Sequence, residues 1–572
     1  MPSTPRGPRS TRRLAPAAAL AGLARTRLEF GVEAAALKRA CFEALARAPL
    51  PHASQVAALH EALCFARAYP DDERMLALVL GMLEGFARRP DLARHRSALA
   101  DSGIAGTAIR FRFFAETAKW LAERWPRRLK LDWAAFDDPA LIEALLPLLV
   151  ASAEGPGLEE YDYGLKGWIA RLKGPRETDA AFLIRRLAHH VPDEFLHEKL
   201  SDAIDAPLVL SAGPGTPSRT LAFTPLAPQG FVRRAPASDR PDLARAIRRA
   251  PHSIRQLGER EGQTLIDLAR AAMVTRSRDL DAFAYGDARD VRLADAGDGL
   301  AFAVIGVRPE RRLLLEGVYA YLTLKHGVPV GYVLTSALYN SSEIAYNVFE
   351  TFRGAEAAPI YARALALTRR LFGSERFTIF PYQLGQGNDE ALRSGAWWFY
   401  RKLGFAPADA PARRLMRAEE KRMRSDPRHR SSRGVLERLA RHNLHWPAGA
   451  RADGIGHLPL ARAGLAVTHA LAKRFGSSRE RGEAVMREEA LARLSPARPP
   501  RGSASEFAAF ERWSPLIAIL PGIESWSAAE RRALAAVALA KGGRRESDFV
   551  RAFDRHAKLR RALRLLIQRT RE

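Results

Sequence analysis

The chain has 572 residues, 47% of them apolar, which is too long for one compact core and apolar enough to bury several, so about two to four domains are expected. Lys plus Arg outnumber Asp plus Glu by 90 to 64, a net charge of +26, while two cysteines without a CxxC spacing exclude a disulfide framework and a thiolate zinc site. No apolar run reaches the roughly 18 to 20 residues of a membrane span, and Cys41 and Cys64, set in apolar helical stretches, read as small buried hydrophobes of a reducing, cytoplasmic protein.

Within residues 1–27, Arg12-Arg13 precedes an Ala-rich run from Leu14 to Ala24, a pattern that mimics a secretory leader. The run is short, contains Pro16 and is closed by Arg25 and Arg27, so a disordered basic arm is the expectation. From 28 to 204, apolar residues recur at three and four, with helix-start signals at Asp71-Asp72 and Asp137-Asp138-Pro139, and an all-α domain is predicted. His189, His190 and His197 match no metal-ligand spacing and read as helix-surface residues, so no metal is expected. Residues 205 to 240 are rich in Pro and Gly and mark a domain boundary.

The region 205–408 carries the predicted sheet. Short helices over 242–249 and 264–276 precede a hairpin that turns at Gly297 to Gly299. Val318 to Lys325 and Val328 to Ser336 form a second hairpin around His326-Gly327, and Ile344 to Phe352 a further strand. A small-residue loop at Arg353-Gly354 then opens a helix from Ala357 to Phe372, with Ile360, Ala364, Leu367 and Leu371 on one face. The exposed N–H groups and partial positive charge of such a helix start suit a phosphate. Phe377 to Leu384 reads as an edge or splayed strand because of Pro381, and one helix is predicted from a cap at Asn388 or Asp389 to Leu403, closed by Gly404.

This order of strands, loop-helix, strand and helix, ending in Tyr400-Arg401-Lys402-Leu403-Gly404-Phe405, resembles the GNAT superfamily of acyl-CoA N-acyltransferases. The resemblance implies an α+β multidomain protein whose central mixed sheet binds acetyl-CoA or another acyl-CoA and passes the acyl group directly to an amine. It places Arg353, Gly354, Ala355, Ala357 and Ala358 in the loop that holds the pyrophosphate, with Val348 and Phe349 polarising the thioester and Asn388 beside the coenzyme. Tyr400 falls where the family often has its acid. Glu350, at a strand end, is the candidate base, with Glu343 second. Two positions depart from the family pattern: Glu356 stands where a Gly is usual and Arg393 where an Asn is usual.

Residues 409–572 read as a basic helical region: 411–572 hold 35 Lys plus Arg against 17 Asp plus Glu, so most of the net +26 lies there. A uniform codon bias would have spread the charge evenly. The region is a candidate site for nucleic acid or another polyanion. A second functional reading therefore stands beside the enzyme: a non-catalytic protein whose degenerate GNAT-like domain and basic tail bind nucleic acid or a protein partner. The acceptor amine is not legible.

Overall fold

The computed structural model describes residues 14–235, 240–354, 356–448, 454–494 and 502–570 and is an α+β fold with a nine-stranded mixed sheet and a separate three-stranded sheet. Two compact units are present, one drawn from Met1–Pro236, Asp267–Leu280 and Lys325–Pro329, the other from Ala237–Ile266, Asp281–Leu324 and Val330–Glu572. Among the described residues no single helix is long and apolar enough to cross a membrane.

In the first unit, helices Pro16–Thr26, Val32–Ala46, Ala53–Ala68 and Glu73–Glu84 gather Leu23, Phe42, Leu59 and Met75 into one core. Residues 16–26, expected in a disordered arm, thus form a helix: Pro16 sits in its first turn, where no N–H is needed, and Ala19 and Leu23 are buried. Residues 1–13 of that arm lie outside the described residues. Asp72 caps the fourth helix as its position predicted, accepting from the Met75 amide at 2.7 Å. Both cysteines are buried and free.

The expectation of an all-α domain is corrected by three short strands, β1 (Ile109–Phe111), β2 (Leu129–Leu131) and β3 (Leu208–Leu210), paired antiparallel in the order β1-β3-β2. Strands of three residues are too short to show an alternation, so they were hidden among helical patterns. β3 also moves the boundary predicted at 205, because it completes this sheet and not the larger one.

The large sheet is built from β4 (Ser253–Gln256), β5 (Gly286–Gly297), β6 (Leu300–Val307), β7 (Gly317–Lys325), β8 (Val328–Leu338), β9 (Ser341–Val348), β10 (Arg376–Ile379), β11 (Ala406–Pro407) and β12 (Leu444–Trp446), in the order β11-β12-β10-β9-β8-β7-β6-β5-β4. Two-residue turns with both φ positive set the registers: Asp298-Gly299 joins β5 to β6, and Tyr339-Asn340 joins β8 to β9. Helix Ala357–Phe372 buries Ile360, Ala364, Leu367 and Leu371 as predicted, and Thr368 meets the Tyr321 hydroxyl at 3.2 Å.

The C-terminal region belongs to this same unit and contributes a strand. β12, which the helical reading of residues 409–572 missed, inserts between β10 and β11. Helix Glu546–Arg555 packs Phe553 edge-on to Tyr339, and Phe549 meets Trp513 of helix Ala504–Ile519. A buried polar network fastens these helices to the sheet. Tyr319 on β7 donates to Asp290 on β5 at 2.5 Å and accepts from the Ser547 amide at 2.9 Å, while Glu546 accepts from the Val318 amide at 2.9 Å. Lys541 pairs with Glu546 at 2.6 Å with side chains 2% and 0% exposed, and burial lowers the lysine pKa against the attraction of that carboxylate.

Removing one member of such a pair strands the other charge in a dry interior, which costs about 3–5 kcal/mol, whereas replacing both by apolar groups is close to neutral. Lys541→Met is therefore expected to lower the urea midpoint followed by tryptophan fluorescence, and the double variant Lys541→Met/Glu546→Leu to recover most of the loss. A single variant as stable as the parent would show that the pair contributes nothing.

Candidate active site

The site begins where two parallel strands separate. β9 and β10 pair through Ser341 with Arg376, Ser342 with Phe377 and Glu343 with Thr378, and there the shared register stops. β10 ends at Ile379, and Pro381, expected inside a strand, instead opens the short helix Pro381–Leu384, where its fixed φ and missing N–H are harmless. β9 runs on to Val348, still paired with β8 as far as Gly331. Its far edge from Ile344 onward faces a gap.

Strand alternation decides which amides look into that gap. The Phe349 amide donates to Val330 on the β8 side at 3.0 Å, so the amides of Val348 and Tyr346 point the other way. The Tyr346 amide meets the Tyr400 hydroxyl, and the Val348 carbonyl accepts from Arg353 Nε at 3.4 Å, both on the open side. The Val348 N–H is thus presented to whatever enters.

The gap holds a cavity of about 260 Å³. One wall is Tyr346, Asn347 and Val348, the mouth is Arg353, Gly354 and Ala357, and the opposite wall includes Gln383, Asn388, Ser394, Phe399 and Tyr400. The helix predicted from Asn388 to Leu403 is in fact two, Asp389–Ser394 and Ala396–Lys402, broken at Gly395, whose φ of +69° is a left-handed conformation that costs glycine little. The break lets the second segment turn Phe399 and Tyr400 toward the gap. Burial pushes the Tyr400 phenol above its ordinary pKa, against the hydrogen bond from Tyr346, so it stays protonated at neutral pH.

Of the predicted site residues, Val348, Arg353, Gly354, Ala357, Asn388 and Tyr400 come together on this lining. Phe349 is turned away, its amide spent on the sheet. Ala358 packs against the core behind the helix start, and Ala355 lies outside the described residues. Asn388 serves as a helix cap, accepting from the Ala391 amide at 3.1 Å and donating to the Tyr382 carbonyl at 3.2 Å. Glu350 stands exposed in the turn Glu350–Phe352, off the lining, and the structure does not place it as a base in the cavity. Glu356 forms the cap position of helix Ala357–Phe372 and is not among the lining residues, so the carboxylate that departs from the family pattern does not fill the mouth.

Glu343 occupies the more telling position. Ser336, Glu343, Thr378 and His445 are register partners on adjacent strands and so share one face of the sheet, with Glu343 at the last rung before the gap. Ser336 donates to its carboxylate at 3.3 Å, Thr378 lies 3.1 Å from His445 Nδ1, and His457 stacks on His445 at 3.9 Å between centroids. Burial, slightly offset by that Ser336 bond, raises the Glu343 carboxyl to about 7. Burial also lowers His445 to about 4, which leaves its ring neutral. Asn347, four residues on along the same strand, carries this face into the cavity.

Sequence reasoning missed Glu390. It binds Arg353 across the mouth, a pair about two-fifths exposed on each side. Helix placement after Asn388 could have shown it in the first turn, but the partner is 37 residues away. Tyr346 was legible as the residue two before Val348 on the same side of one strand. No family model, curated protein or solved structure matches the chain.

The strand end that forms this wall depends on Gly331, where a Cβ would stand 2.3 Å from the Asn347 carbonyl oxygen. Gly331→Ala must displace backbone, at a cost of about 1–3 kcal/mol. A lower thermal midpoint is expected, with faster amide exchange at Tyr346 to Val348; an unchanged exchange pattern there would show that the wall does not rest on this contact.

Proposed function

We propose that this protein is an acyl-CoA-dependent N-acyltransferase, and the observation that carries the reading is the open edge of β9, with the Val348 amide facing a gap beside the protonated Tyr400. An extended thioester arm with its own amides can lie along such an edge as an added strand. At about 260 Å³ the cavity takes the arm and the acyl end of an acyl-CoA, and the nucleotide part stays outside. The pyrophosphate then meets the start of helix Ala357–Phe372 and the guanidinium of Arg353.

In this mechanism the amine nitrogen attacks the thioester carbon. Negative charge developing on the carbonyl oxygen is held by the Val348 N–H. Glu343, which is not itself on the lining but shares the sheet face that Asn347 carries into the cavity, takes the proton from the amine through water, the C–S bond breaks, and Tyr400 gives its proton to the departing thiolate. No covalent enzyme intermediate is needed. The acyl group is most simply acetyl.

Arg353 is held by Glu390 when the mouth is empty, so the anion must compete for it. Calorimetric titration with acetyl-CoA is expected to show binding that Arg353→Glu weakens at least tenfold, since a charge-assisted contact becomes a repulsion. Glu390→Gln is expected to tighten it about two- to fivefold, the modest value of an exposed pair. Absence of heat with acetyl-CoA and with longer acyl-CoAs at high concentration would overturn the assignment in favour of a non-catalytic binding protein.

The base sets a pH dependence with a definite sign. A carboxyl raised to about 7 must lose its proton to accept another, so kcat/KM is expected to climb with pH through a midpoint close to 7 and level off above it. Glu343→Gln should lower the rate by about 10²–10⁴ and abolish that limb. A limb that survives the substitution would assign the titration to another group.

A further inference from the structure

Between the neighbouring strands β11 and β12 the chain makes an excursion, residues 408–443, whose main element is helix Ala410–Ser425. Its inner face buries Ala412, Met416 and Glu419 and packs Leu415 against the core. Its outer face carries Arg414, Arg417, Lys421 and Arg424, all exposed. Spacings of three and four put the four cations within an arc of roughly 80° on a helix that turns about 100° per residue, along roughly 15 Å of its axis.

The acids of this helix are engaged elsewhere. Glu419 is buried and accepts from Arg422 at 2.7 Å, His429 at 3.0 Å and Ser431 at 2.6 Å, and Glu420 accepts from Arg401 at 2.7 Å. The stripe is therefore not neutralised by its own helix. The charge also continues past the helix end: exposed Arg428 and Arg430 follow, and Lys402 is close enough to Arg240 and Arg430 to feel their repulsion in addition to its partial burial.

We infer that this face of the Ala410–Ser425 helix is a docking surface for the phosphodiester backbone of a nucleic acid. A line of cations with no base-reading elements matches sequence-independent phosphate contact, which supplies affinity through counterion release. Charge complementarity selects the occupant. An anionic membrane fits worse, because a helix lying in a lipid interface needs exposed apolar side chains beside its cations, and the apolar residues of this helix face inward. Aromatic side chains are absent from the helix, so the contact is to backbone and not to stacked bases. None of the four cations lines the cavity between β9 and β10.

The test is fluorescence anisotropy of the full chain with a labelled 20-base-pair DNA duplex and, in a second arm, an RNA duplex of the same sequence, each across a series of salt concentrations. The quadruple variant Arg414→Gln/Arg417→Gln/Lys421→Gln/Arg424→Gln is expected to bind at least tenfold more weakly near 150 mM salt. It should also flatten the dependence of log K on log salt by about 3 to 4, the slope expected for four lost phosphate contacts. Preference between the arms identifies which nucleic acid is the ligand, and equal binding identifies the backbone they share. Arg74→Gln/Arg88→Gln/Arg94→Gln/Arg96→Gln, which removes the same charge from exposed positions of the other unit, should leave both quantities within twofold. Circular dichroism and the urea midpoint check that each variant is folded. Equal loss in the two quadruple variants, no loss in the stripe variant, or tighter binding to phosphatidylserine vesicles than to either duplex would overturn the inference.

Discussion

The arrangement rests on the place where β9 and β10 stop pairing. A parallel ladder would continue as long as both chains stayed extended and donated amides in step. Pro381 prevents this: it lacks the amide, fixes its own φ and favours a helical first turn, so the chain leaves the sheet after Ile379. β9 has no such interruption and is held on its other side by β8 up to the Gly331–Val348 pair. One strand ends, its neighbour does not, and the unpaired amides that remain inside a largely buried sheet are an unmet demand for a hydrogen-bonding partner. Tyr400 answers part of that demand at Tyr346, and the Val348 amide is left facing the cavity.

Keeping such a gap open requires rigid supports on both sides. On one side, helix Ala357–Phe372 is anchored across the sheet through Thr368 and Tyr321 and ends in Gly373, whose φ of +75° terminates it cleanly. Behind it, the network of Asp290, Tyr319, Lys541 and Glu546 fixes the C-terminal helices to β5 and β7. A buried ionic network is a poor source of net stability, but its directional bonds allow few alternative packings, and it sets how helix Glu546–Arg555 meets the sheet. On the other side, the 408–443 excursion rejoins the sheet as β12 and buttresses β10, with Thr378 bonded to the Ile455 carbonyl at 2.9 Å.

How much of this was legible follows from the length scale of each signal. The long elements were readable because their periodicity extends over many residues: β7, β8 and helix Ala357–Phe372 lie where alternation and three-four spacing put them. Short elements were not, since three residues cannot express a period, and β1, β2 and β12 were absorbed into helical surroundings. Val348, Arg353 and Tyr400, grouped by local pattern and resemblance, lie on the lining of one cavity. Phe349 and Glu350 were misjudged by their closeness to Val348, because one step along a strand reverses the direction of the amide and a second step left the strand altogether. Glu343 and Glu390 owe their positions to cross-strand register and to a helix folded back over the mouth, both of them long-range facts.

The charge of the C-terminal region shows why composition alone misleads in either direction. Many of its arginines are structural donors to main-chain carbonyls. Arg493 holds Ile517 and Leu520 at 3.0 and 2.9 Å, Arg512 holds Pro309 at 2.8 Å, and Arg551 holds Leu371 at 2.7 Å. A guanidinium has five donors in a fixed fork and can satisfy several helix-end carbonyls at once, which lysine cannot do with the same geometry. Others are matched by carboxylates, as Arg487 is by Glu511 at 2.9 Å. Net charge therefore overstates the cationic surface, because arginines already engaged inside the fold have fewer donors left for phosphate. What distinguishes Ala410–Ser425 is not its arginine content but the direction of its side chains: the packing of Met416 and Glu419 turns the inner face to the core and leaves the four cations to solvent.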